Sequence, residues 1–144
     1  MTTPKIEPNE LRIGNLVLDN QNRQGEIFII EPEKVWVKLK TSIGTSAYIN
    51  DIGQIKPISL TPDWLAKMGF AENLLDKYNP SEGVYYTKEI NDKKYCDLSF
   101  IDGDKNGIFE VCLFPYTDHF RYQYVHQLQN LFFALCGQEL KITI

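Results

Sequence analysis

Lys34 to Lys40 reads KVWVKLK. In an extended chain Val35, Val37 and Leu39 share one side, and Lys34, Trp36, Lys38 and Lys40 share the other. This alternation predicts a strand with one face on a core and one toward solvent. The flanking residues follow suit. "GNLVL" (14–18) and "EIFII" (26–30) are apolar and β-prone, and the polar cluster "DNQNRQG" separates them. "EPEK" places Pro32 to start a turn, and "TSIGTS" turns again. "AYIN" and "QIKPI" read as further short strands. Short strands at near-regular spacing predict a small five-stranded barrel of SH3-like type over residues 1–60. Gly14, Gly25, Gly44 and Gly53 would supply corners free to take positive φ.

After residue 60 the texture changes. In "SLTPDWLAKMGF", Thr61 can cap a helix, Pro62 fits its first turn and Asp63 suits the positive end of the dipole. "AENLLDKYNPSEG" reads as a connector with room for one more helical turn. "VYYTKEI", "KKYCDLSFI" and "GIFEVCLFP" are strand candidates. "RYQYVHQLQNLFFALCG" is the strongest helix pattern, closed by Gly137, and "LKITI" reads as a last strand. The expected fold class is α+β: the barrel, a short linking helix, then an antiparallel meander with one long C-terminal helix across it and a final strand. The expected division is 1–60 and 61–144, as two subdomains or one compact unit.

Composition narrows the chemistry. The chain has 144 residues, 43% hydrophobic and 24% charged, enough to bury a core without metal or disulfide support. Residues 1–60 carry seven Lys/Arg and seven Asp/Glu; residues 61–144 carry eight and twelve, so the −4 net charge sits in the second half. That half is a poor candidate for wrapping nucleic acid. Cys96, Cys112 and Cys136 are odd in number and widely spaced, with no CxxC, which argues against a disulfide framework or a zinc site. No apolar run suits a signal peptide or a membrane span, so the expectation is a cytoplasmic protein.

Three segments also carry a resemblance. "LRIGNLV", "IKPISLTPDWLAKMGF" and "YVHQLQNLFFALCGQEL" resemble a family of small proteins of bacterial and prophage genomes, chiefly Bacteroides-like ones. The chain departs from that pattern at Cys136, where threonine is expected. No activity is established for the family. The resemblance therefore implies relatives and a phage-related or mobile-element setting, not a reaction.

"DGDKNG" (102–107) has the opening spacing of an EF-hand loop. The bidentate glutamate required at the twelfth position is Leu113, and the flanks alternate with the period of strands. A hairpin tip fits better. If Ile101 pairs with Ile108, then Phe100 meets Phe109, Leu98 meets Val111 and Cys96 meets Leu113. If Asn106–Gly107 makes a two-residue turn, the register moves but the faces keep their parity.

On the long helix, Tyr124, Val125, Leu128, Leu131, Phe132, Leu135 and Cys136 cover an apolar arc, and Gln123, His126, Gln127 and Asn130 a polar one. Gln129 sits on the apolar edge. Either its amide bonds to nearby backbone, or Tyr122, His126, Gln129 and Phe133 form a contact stripe for a ligand or partner, with Asn130 beside it. The stripe Lys34, Trp36, Lys38, Lys40 offers an indole for stacking and cations for phosphates; it could equally be an outer strand covered by protein. No GxSxG, P-loop, GxGxxG or HExxH occurs, and His119 and His126 are wrongly spaced for two ligands on one helical face. Asp97 and Glu110 are expected on one face of the hairpin, where solvated acids are commoner than an acid–base pair. The expected function is a small non-enzymatic interaction protein, with neither metal nor cofactor, acting through protein contacts or self-association. The alternative is a nucleic-acid-binding module using the Lys/Trp face.

Overall fold

The computed structural model describes residues 6, 8–41, 43–74, 77–78, 84–91, 94–100, 109–114 and 119–142. Strands β1 (Leu16–Leu18), β2 (Gln24–Ile30), β3 (Lys34–Thr41) and β4 (Gly44–Asp51) form one antiparallel sheet in sequence order. Helix α1 (Pro62–Lys67) follows. Strands β5 (Ala71–Leu74), β6 (Val84–Asn91), β7 (Lys94–Phe100), β8 (Phe109–Phe114) and β9 (His119–Tyr122) form a second sheet, again in sequence order, and helix α2 (Val125–Cys136) comes last. The α+β class is as expected. The chain divides into two compact units, Met1–Ser59 with Tyr124–Glu139, and Leu60–Gln123 with Leu140–Ile144.

In the first unit the alternation of KVWVKLK has its expected result. Val35, Val37 and Leu39 are buried, and they join Ile6, Val17, Ile27 and Ile55 in one apolar cluster. Lys34, Lys38 and Lys40 are exposed. β2 is bulged between Ile27 and Ile29, so its register on β3 shifts there. Gly25 is fixed by packing, not by φ: a Cβ there would lie 2.3 Å from Val37 Cγ1 and 2.6 Å from Leu39 Cδ2. Of the four glycines expected at corners, Gly14 and Gly44 do have positive φ, whereas Gly25 and Gly53 do not.

A closed barrel is not found among the described residues; β1 and β4 are the outer strands of a four-stranded sheet. The stretch expected as a fifth strand, "QIKPI", follows out of a 3-10 turn at Ile52–Gln54 and makes a single bridge from Lys56 to Leu18, with both N–H···O bonds at 2.9 Å. Pro57 follows and has no N–H to extend the ladder.

Helix α2 belongs to this first unit, although the expected boundary after residue 60 assigned it to the other part. It packs on β1 and buries Val125, Leu128 and Phe132. It also begins later than its sequence pattern suggests. Arg121 and Tyr122 pair with Glu110 and Phe109 as β9. Tyr124 is extended at φ −125° and ψ 150°, and its N–H donates to Gln127 Oε1 at 3.0 Å. Gly137, left-handed at φ 67°, ends the helix with its N–H on Phe133 O at 2.8 Å.

In the second unit Thr61 caps α1 by accepting the Trp64 N–H at 3.3 Å, and Trp64, Leu65 and Met68 are buried. "AENL", expected within a connector, is instead β5, paired with β6 from Ala71↔Thr87 to Leu74↔Val84. Glu72 there hydrogen-bonds the largely buried Tyr86; burial first, and then Glu72, push the Tyr86 hydroxyl pKa up. β7 and β8 take the first of the two registers considered: Phe100↔Phe109, Leu98↔Val111, Cys96↔Leu113. The tip "DGDKNG" lies outside the described residues. No strand forms over Leu140–Ile142, where a last strand was expected; Leu140 is nonetheless buried, and residues 143–144 lie outside the described set.

Candidate functional site

His126, Gln129, Asn130 and Phe133 fall at i, i+3, i+4 and i+7 on α2, so they lie on one helical face. The turn at Leu11–Asn15 meets that face. Gly14 makes this possible with φ +100°; its N–H donates to Ile27 O at 2.8 Å and its carbonyl faces the helix. Gln129 is 3% exposed, and both ends of its amide are engaged: Oε1 accepts the Leu16 N–H at 2.8 Å, and Nε2 donates to Gly14 O at 3.1 Å. Asn130 Nδ2 donates to Glu10 O at 2.7 Å. Its Oδ1 accepts from Asn15 Nδ2 at 2.7 Å and Arg12 Nε at 3.2 Å.

Arg12 completes this cluster. Its guanidinium lies 4.2 Å over the Phe133 ring and pairs with both carboxylate oxygens of Glu139, Nη2 to Oε2 at 3.0 Å. Its own N–H is held by Asn15 Oδ1 at 2.7 Å. Amides that stood out as candidate ligand contacts thus bind the chain's own backbone.

His126 is 1% exposed. Its Nε2 faces Glu10 Oε2 at 3.4 Å, its ring stacks on Tyr124 at 6.0 Å, and its Nδ1 has no hydrogen-bond partner among the described residues. Burial lowers the imidazole pKa below 6.5 and outweighs the opposing pull of Glu10. The geometry fits a neutral ring that donates from Nε2 and leaves Nδ1 bare. Tyr122 is half-buried in β9, in the second unit, so helical spacing does not link it to His126.

The other candidate is the outward side of β3. The half-buried Trp36 meets Phe28 edge to face at 6.2 Å and donates from Nε1 to Glu31 Oε1 at 3.4 Å. Ile29 and Ile49 stand beside it in register and are 39% and 51% exposed. The three lysines are exposed, but the register places Asp51 opposite Lys34 and Glu26 opposite Lys38; Lys40 faces Thr45. The face is therefore apolar at its centre and of mixed charge at its rim.

Asp19 escaped the sequence reading. Fully buried, it accepts the Gln21 and Arg23 N–H groups at 2.9 and 2.8 Å and the Arg23 Nε at 2.8 Å, closing the β1–β2 turn. Burial raises its pKa, but these bonds prevail and hold it below 3.8. Asp97 and Glu110 occupy one face of the β7–β8 pair by register. The side chains of Cys96, Asp97, Glu110, Cys112, His119 and Cys136 lie outside the described set.

No protein-family model, curated protein or solved structure matches the chain.

Proposed function

We propose that the protein is a non-enzymatic interaction module acting through protein contacts at the outer face of β2, β3 and β4. The observation that supports this is the cluster of Phe28, Ile29, Trp36 and Ile49 on that face, with both isoleucines more than a third exposed. An aromatic anchor inside a polar rim is the composition of a protein interface. The finer fold reading is an incompletely closed SH3-like barrel, supported by the 3-10 turn after β4 and the Lys56 bridge to β1. A prophage or mobile-element accessory role rests on the sequence resemblance alone. No helix among the described residues is long and apolar enough to cross a membrane.

Lys34, Lys38 and Lys40 around an indole keep a second reading alive, single-stranded nucleic acid stacked on Trp36. Glu26, Asp51 and Glu31 weaken it, since they would stand beside any phosphate held there. Capture from host lysate separates the two. The expected result is one protein partner retained through nuclease and high salt, and lost with Trp36→Ala plus Ile29→Ser. Recovery of oligonucleotides alone, with salt-sensitive retention, would overturn the protein reading.

A further inference from the structure

Strand β4 borders the first sheet along its whole length. It runs eight residues, Gly44–Asp51, and pairs with β3 without a register shift; no strand pairs with its other side among the described residues. Thr45, Ala47, Tyr48 and Ile49 are exposed. The strand contains no lysine, arginine or proline, the residues that commonly blunt an edge. The remaining edges are better protected. β1 is met by Lys56, and β5 and β9 are four residues each and carry Glu72 and Arg121. Among the described strands β4 is thus the long, regular edge, uncharged up to its last residue, a template for another extended backbone.

We infer that two copies of this chain associate by antiparallel pairing of β4 with β4 about a twofold axis at Tyr48. Pairing must set like faces together, which restricts the sum of paired residue numbers to even values. With Tyr48 opposite its own copy, Ala47 meets Ile49, Ser46 meets Asn50, and Thr45 meets Asp51. Apolar then faces apolar and polar faces polar. Asp51 of one copy comes beside Thr45 of the other, whose neighbour on β3 is the exposed Lys40. Moving the axis to Ala47 would set Thr45 against Ile49 and leave Asp51 beyond the seam, opposite Ile43. Charge complementarity thus selects Tyr48. This inference does not depend on what binds around Trp36.

Sedimentation of the full chain should show a species of twice 16.7 kDa whose population rises with concentration. Tyr48→Cys should cross-link symmetrically under mild oxidation, the bond being assigned by peptide mapping because Cys96, Cys112 and Cys136 are also present. Ala47→Lys, at an exposed position, should keep its melting temperature at low concentration and raise the dimer Kd about tenfold or more, through a lost apolar pair and a charge at the seam. A monomer at every concentration up to the solubility limit overturns the inference. So does a dimer that ignores Ala47→Lys, or a Tyr48→Cys dimer that forms no bond between the two introduced thiols. Capture of a lysate partner that survives Trp36→Ala plus Ile29→Ser, with the dimer intact, would count against the Trp36 reading and leave this one standing.

Discussion

Gln129 shows how one side chain can tie two ends of a chain together. Replacing it with leucine keeps the volume but leaves the Leu16 N–H and the Gly14 carbonyl without partners. Two buried backbone groups left unpaired should cost about 2–4 kcal/mol, read as a lower urea midpoint at unchanged m-value. Gly25→Ala tests packing instead. The added methyl collides with Val37 and Leu39 inside the core, and overpacking of that kind costs about 1–3 kcal/mol. Neither residue reveals its task in the sequence. Gln129 was legible as a polar residue on an apolar edge, but its partners lie more than a hundred positions away. Gly25 looks like a turn residue because it follows a polar cluster; only the approach of β3 shows that the constraint is volume.

At the scale of elements, pairing and capping decide boundaries that propensity blurs. Arg121 and Tyr122 suit a helix, yet they complete β9, and the bond from the Tyr124 N–H to Gln127 sets the first helical turn after them. Helix α2 also contains a pH-sensitive contact. Burial holds the His126 pKa below 6.5 in the fold, so protons bind the unfolded chain more readily. Its contribution to stability is full above 6.5 and is lost as pH falls through that value toward the folded pKa. The groups facing it are Glu10 and Tyr124. Going from about pH 7.5 to about pH 5.5, the melting temperature of the wild type should fall, and His126→Phe should flatten that dependence. Asp19 acts at the acid end. Its lowered pKa stabilises the fold above 3.8, and that contribution disappears as pH falls below it; Asp19→Asn should remove this part of the acid limb.

At the scale of the whole molecule, the first unit is discontinuous. Its sheet comes from Met1–Ser59 and its helix from Tyr124–Glu139. The chain leaves at Ser59 and returns at Tyr124, and those two residues form an antiparallel bridge. A fragment ending at Ser59 lacks the partners of the Leu16 N–H and of the Gly14 and Glu10 carbonyls, along with the apolar face of α2. It should give collapsed amide dispersion in a proton–nitrogen spectrum, and adding a peptide spanning Tyr124–Glu139 should restore part of the native pattern. The sequence by itself determined the strand faces around KVWVKLK, the cap of α1, the pairing register of β7 and β8 as far as its parity, and the glycine that ends α2. Those follow from periodicity and local hydrogen bonding, which act over a few residues. Only the tertiary structure decided that α2 joins the N-terminal sheet, that "LRIGN" is the partner of "HQLQN", and that β4 has no further strand beside it among the described residues. Those outcomes depend on which distant backbone groups find donors and acceptors, and no local pattern encodes that choice.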